Sequence, residues 1–156
     1  MGMWERLPRR RLWLLAAFGA VSVVGCGKTE LDPAAVANLK GLAGLYTDYA
    51  QAHQNAGPPD AEALKKHARA MDPRSAGGAG VDLSRLDEYF TSPRDKQPLQ
   101  IRYGVAVTNL GSNAPLIAHE QTGVGGKKLA VFANGKVQEL DDAALKQATE
   151  GKSPTG

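Results

Sequence analysis

The chain has 156 residues, 42% hydrophobic, 22% charged and 6% aromatic, which suits one small domain plus a targeting segment and excludes a large multidomain enzyme. Its net charge of +3 is confined to residues 1 to 25, where Arg6, Arg9, Arg10 and Arg11 stand against Glu5. Residues 26 to 156 hold 15 Lys/Arg and 15 Asp/Glu, so no basic stripe for a phosphate backbone exists and nucleic acid is not an expected partner.

After Arg11 the run from Leu12 to Gly25 carries no charge. A basic start, an apolar stretch and small residues at its end are the parts of a secretory signal, predicted here over residues 1 to 25. Fourteen helical residues at about 1.5 Å each would span roughly 21 Å, less than the roughly 30 Å hydrocarbon core of a bilayer. The Met1-Gly2 start does not fit myristoylation, because Arg6 stands where Ser or Thr is needed. Arg10-Arg11 leaves twin-arginine export as an alternative to general secretion, although Arg9 replaces the usual Ser or Thr.

The chain's one cysteine, Cys26, follows this segment directly, in the order Val23-Val24-Gly25-Cys26. That string resembles the lipobox of bacterial lipoproteins, with Val23 where Leu is usual and Val24 where Ala or Ser is commoner. The resemblance implies signal cleavage between Gly25 and Cys26, a diacylglyceryl group on the Cys26 sulfur and acylation of the new amino group. A thiolate is the side-chain nucleophile best suited to such a transfer, and two or three chains anchor stably where one does not. Gly27 is not the Asp that marks inner-membrane retention in some diderm bacteria, which favours the outer membrane there. The expected location is the cell membrane or outer membrane, with the domain facing the periplasm or exterior. With a single cysteine the exported domain has no internal disulfide.

Residues 26 to 32 read as the lipidated cysteine and a tether, and 33 to 150 as one α+β domain. Asp32-Pro33 is a helix start, and Val36, Leu39, Leu42, Ala43, Tyr46, Tyr49, Ala50 and His53 recur at helical spacing, predicting an amphipathic helix over about 33 to 54. A second, shorter helix is predicted from Asp60 as cap to about Ala70, then a flexible break over Ser75 to Gly80 and a short helix or turn over Asp82 to Phe90. Ser92-Pro93-Arg94-Asp95 with Pro98 reads as loop. Ile101, Tyr103 and Val105 alternate with polar or small residues and predict a strand over Leu99 to Val107. Further strands are expected at Leu116 to Glu120, Leu129 to Ala133 and Lys136 to Leu140. The last two flank Asn134-Gly135, a type I′ turn signal. Asp141 caps a final helix from about Asp142 to Thr149, and residues 151 to 156 read as a disordered tail. Helices followed by an antiparallel meander make an α+β domain.

Asn38-Leu39-Lys40, Tyr46, Tyr49, His53, Pro58-Pro59, Ser92-Pro93-Arg94-Asp95 and Phe132-Ala133-Asn134-Gly135-Lys136-Val137 together resemble the soluble part of type IV pilin-like and pseudopilin proteins. The resemblance implies a helix against an antiparallel sheet. The prepilin-peptidase site and the Glu near the start of a long apolar helix are missing, so assembly into a pilus is not implied.

No catalytic, cofactor or metal site is expected. His53, His67 and His119 fit no H-x-x-x-H or H-E-x-x-H spacing and read as unrelated surface histidines. Gly123 to Lys128 lacks the Gly and Ser/Thr of a phosphate loop, with Gln121 and Lys128 in those places, and reads as a hairpin loop. Asp141-Asp142 reads as a helix cap and dipole partner. Lys65-Lys66 with Arg69, and Lys127-Lys128, read as solvated faces, with lipid headgroup contact as the sharper alternative. These features point to a lipid-anchored, non-catalytic structural or protein-interaction module, meeting an envelope partner through a sheet edge near Leu99 to Val107. The alternative is a small envelope enzyme or solute-binding lipoprotein whose site is assembled from scattered polar residues.

Overall fold

A computed structural model describes residues 31 to 151 of the chain. The helices come first: α1 (Pro33–Ala52), α2 (Ala61–Ala70), α3 (Pro73–Gly78) and a 3₁₀ segment (Leu83–Phe90). An antiparallel meander follows, with β1 (Gln100–Ile101), β2 (Leu116–His119), β3 (Lys128–Phe132) and β4 (Val137–Leu140) adjacent in that order, and α4 (Asp142–Thr149) closes the chain. This is the α+β arrangement expected from the residue pattern.

α1 begins where Asp32 accepts a hydrogen bond from the Ala34 amide at 3.0 Å and Pro33 occupies the first turn. Leu39, Leu42, Leu45, Tyr46 and Ala50 form its fully buried face, which packs on the sheet and on the 3₁₀ segment. Two residues earlier than expected, the helix stops as Gln54 and Asn55 turn left-handed, with φ of 57° and 67°.

α3 lies where a flexible break is predicted. Asp72-Pro73 repeats the Asp32-Pro33 start signal, Asp72 accepts from the Arg74 amide at 3.2 Å, and Ala76 becomes buried. That cap and the buried Ala76 outweigh the poor helix propensity of Gly77 and Gly78. The 3₁₀ segment is held against α1 by two contacts. The Asn38 amide group donates to the Glu88 and Thr91 carbonyls, each at 2.8 Å, and the Tyr89 ring lies on Gly41, where a β-carbon would collide with it.

The strand predicted over Leu99 to Val107 shrinks to Gln100–Ile101, paired with His119 and Ala118. Beyond it the chain leaves the sheet for the α1–α2 loop: Gly104 donates to the Pro58 carbonyl and Val107 to the Asn55 carbonyl, both at 2.8 Å. The reason is Tyr46, whose ring is wholly buried while its hydroxyl requires partners. It donates to the Arg102 carbonyl at 2.8 Å and accepts from the Val105 amide at 3.1 Å. Burial also raises the pKa of this phenol, which keeps the donor in place. The edge expected near Leu99 to Val107 is therefore reduced to the two residues of β1, with the Leu99 amide before it bonded to the Phe90 carbonyl and Thr91 paired with Pro98.

Asn134-Gly135 does turn the β3–β4 hairpin, but in a different form from the expected type I′. Of the two only Gly135 has positive φ, at 78°. The Gly135 amide bonds the Phe132 carbonyl at 2.9 Å, and the Phe132 amide bonds the Lys136 carbonyl at 3.0 Å. This is the longer turn that ends in a left-handed glycine. Asp141 caps α4 as expected, accepting from Ala144 at 2.8 Å.

Asn38→Ala should destabilise the domain by about 1–3 kcal/mol, because α1 loses both of its side-chain hydrogen bonds to the Glu88 and Thr91 carbonyls. Urea unfolding monitored by circular dichroism measures it.

Candidate functional site

Cys26 and Gly25, the predicted lipidation and cleavage residues, lie outside the described residues. The tail at 152 to 156 does too. Within them, the most concentrated polar chemistry sits where the loop Ser92 to Gln97 meets the β2–β3 connection.

Glu120, directly after β2, has no solvent exposure. Its Oε1 accepts from Ser92 Oγ at 2.7 Å and lies 3.5 Å from Arg94 Nε, while its Oε2 accepts from the Leu129 amide at 2.8 Å. Arg94 extends past Glu120 to Glu139 on β4, with Nη1 at 3.1 Å from Oε1. A single guanidinium thus bridges the ends of two strands that are not neighbours in the sheet. Ser92 Oγ also accepts from the Arg94 amide at 3.1 Å, so the loop's own turn aims both donors at the same carboxylate.

Asp95 fastens the loop in the opposite direction. It accepts from the Thr122 and Gly123 amides at 3.1 and 2.9 Å, and from its own loop at Gln97. Burial works to raise the Asp95 pKa, but the amides of Gly123, Gln97 and Thr122 together outweigh it and hold the carboxyl below its ordinary value. Gly123 has φ of 73°, and a β-carbon there would strike the Lys127 carbonyl, so glycine is required beside Asp95.

This cluster is built as a brace. Both Glu120 oxygens are engaged within the chain and closed to solvent, so the carboxylate holds the loop to the strands. Sequence reasoning placed Ser92 to Asp95 in a loop and Glu120 at a strand end without joining them. The available signal was a glutamate closing the apolar run Leu116-Ile117-Ala118, a position where an ionised group demands a partner.

His53 and His67 are neighbours, contrary to the expectation of unrelated surface residues. The rings of Tyr49 and His53 stack at 4.0 Å between centroids, and His67 packs edge-on to both, 5.2 Å from Tyr49 and 5.8 Å from His53. His67 Nε2 bonds Asp48 Oδ2 at 2.7 Å, and His53 Nδ1 bonds the Tyr49 carbonyl at 2.8 Å. The group pins α2 to the end of α1. Side-chain pattern could not show this, because it depends on the α1–α2 loop folding the two helices together. His119 lies apart on β2, bonded to the Glu120 carbonyl at 2.8 Å. Among the described residues no three His, Cys, Asp or Glu side chains converge as metal ligands.

The loop Gly123 to Lys128 is a hairpin turn, as expected, with Val124 bridged to Lys127 and the chain passing into β3. A phosphate loop would open a helix instead. Two of the basic clusters are more engaged than a solvated face would be. Lys65 bonds Asp87 at 2.8 Å and sits 4.7 Å over the Phe90 ring, and Lys128 bonds Asp142 at 2.9 Å. An open groove of about 900 Å³ runs between α1, α3 and the β3–β4 turn, and its charged side chains are Lys40 and Asp48.

Glu120→Leu should cost about 2–4 kcal/mol, since it leaves Ser92 and the Leu129 amide without their acceptor while Arg94 keeps Glu139. Chemical unfolding would read that loss. Asp95→Asn tests the second fastening. A carboxyl whose folded pKa is depressed stabilises above its unfolded value, about 3.8, and loses that contribution as pH falls through the lower folded value. The gap in unfolding midpoint between the native chain and Asp95→Asn should therefore narrow steadily below pH 3.8.

No protein-family model, characterised protein or solved structure matches this chain.

Proposed function

We propose that the chain is a lipid-anchored protein of the bacterial envelope, whose folded part is a structural or protein-interaction module without a catalytic centre. The observation that carries this reading is the placement of the one cysteine, Cys26, at the end of an uncharged run that follows four arginines. Diacylglyceryl transfer to its sulfur and cleavage after Gly25 would leave a 131-residue chain, 26 to 156, held to the cell membrane or outer membrane by its first residue. The domain then faces the periplasm or the exterior. Among the described residues no helix is long and apolar enough to cross a membrane, so the acyl chains would be the attachment this reading requires.

The module reading draws support from how the polar residues are spent. Glu120, Arg94, Glu139 and Asp95 brace loops to strands, and His67 with Asp48 joins two helices. One helix laid on a four-stranded antiparallel meander also agrees with a scaffold of the pilin-like kind. Of the two outer strands β4 is the longer, four residues against two for β1, and it offers the better edge for an envelope partner.

Intact mass of the chain extracted from the membranes of a bacterial host tests the anchor. The expected species begins at residue 26 and carries diacylglyceryl and acyl mass that disappears in Cys26→Ser. An unmodified chain, or one retaining residues 1 to 25, would refute it.

A further inference from the structure

Among the described residues two large apolar side chains are exposed, Leu110 at 48% and Val124 at 53%. They lie at opposite ends of the domain. Val124 shares a shallow groove with Leu31, Asp32, Arg94, Lys127 and Glu139, beside the start of α1. Leu110 lines the groove that includes Asn134 and Gly135, at the far end of the β3–β4 hairpin. Thr47, late in α1, donates to the Ala133 carbonyl at 2.9 Å, so α1 and β3 run the same way from the Val124 end to the Leu110 end. From Pro33, at the Val124 end, to Thr47 beside Ala133, α1 rises by roughly 21 Å.

The Val124 end is also where the chain enters the domain. Cys26 stands five residues before Leu31, and five residues reach at most about 18 Å. Val124 is held out on a turn with Gly123, Gly125 and Gly126 beside it, all three with positive φ. Among the described residues 53% of its surface is left open. The carboxylates around it are committed locally: Asp32 and Asp141 cap helices, Asp95 holds the Thr122 and Gly123 amides, Asp142 bonds Lys128, and Glu139 bonds Arg94. Lys127 makes no ion pair among the described residues.

We infer that the β2–β3 turn is a membrane foot: Val124 enters the boundary between headgroups and acyl chains of the bilayer that holds the Cys26 lipid, and Lys127 meets the headgroup phosphates. This rests on the lipid-anchor reading of Cys26. One valine would not hold a free protein on a membrane, but a short tether makes the contact intramolecular and raises its effective concentration accordingly. Acidic residues outnumber basic ones at this end, so the contact is chiefly apolar and does not depend on anionic lipid. Its consequence is orientation, with α1 rising from the bilayer and the Leu110 end directed outward.

The test uses the full chain, produced in an exporting bacterium and reconstituted into vesicles of phosphatidylethanolamine and phosphatidylglycerol containing brominated phosphatidylcholine. Both native tryptophans, Trp4 and Trp13, precede the cleavage point, so Val124→Trp and Leu110→Trp each leave one emitter in the processed chain. Intact mass on the same samples reports the lipid. In the lipidated chain the Val124→Trp emission should lie at shorter wavelength and be quenched at least about twofold more than that of Leu110→Trp, with the difference kept at about 0.5 M salt. Equal quenching in a lipidated chain, stronger quenching at position 110, or loss of the difference in salt would overturn the foot and leave the anchor standing. A chain without lipid on Cys26 would overturn the anchor and the foot together.

Discussion

Removing a carboxylate from water costs several kcal/mol unless its oxygens find donors, and Glu120 stands in that position at the end of β2. Its donors arrive from two directions, the Ser92 hydroxyl and Arg94 from one loop and the Leu129 amide from the facing strand. The loop Ser92 to Gln97, the β2–β3 connection and the start of β3 must therefore be in place together. Through Arg94 the same requirement reaches Glu139 on β4, which fixes where the sheet ends before α4 begins. Asp95 closes the circuit by holding the glycine turn that Glu120 precedes. A buried ion pair is weak support for stability, but it specifies geometry, because a displaced partner leaves a charge in an apolar setting.

How much of this was legible in the sequence depended on whether a signal was local. Asp32-Pro33, Asp60 and Asp141 announced helix starts because a cap acts within three residues, and each side chain bonds an amide two or three positions on. The meander's last two strands were legible through Asn134-Gly135, although the form of the turn was not. Asp72-Pro73 carried the same signal as Asp32-Pro33, yet the glycines after it drew the expectation toward a flexible break.

Where the deciding contact is distant in sequence, the pattern misleads or falls silent. The alternation over Leu99 to Val107 has the period of a strand, but Tyr46, more than fifty residues earlier, claims the backbone at Arg102 and Val105. His53 and His67 look unrelated along the chain, and the fold stacks them around Tyr49. The Glu120 brace is the strongest instance, since its members come from a loop and three strand ends. For the candidate anchor the order is reversed: Cys26 takes its meaning from the residues just before it.

The departure of residues 102 to 107 from the sheet has a geometric consequence for assembly. On the β1 side that departure leaves an outer strand of two residues, Gln100–Ile101, preceded by the Leu99 amide bonded to the Phe90 carbonyl and by the pairing of Thr91 with Pro98. On the other side β4 pairs only with β3. A sheet with two open edges can extend without limit, each copy accepting a strand on one side and offering one on the other. A two-residue edge offers little to a second strand, whereas two copies joined along their longer edges about a twofold axis consume both of those edges. Any strand pairing by this domain would therefore favour β4, in a pair of copies about a twofold axis, over head-to-tail extension through β1.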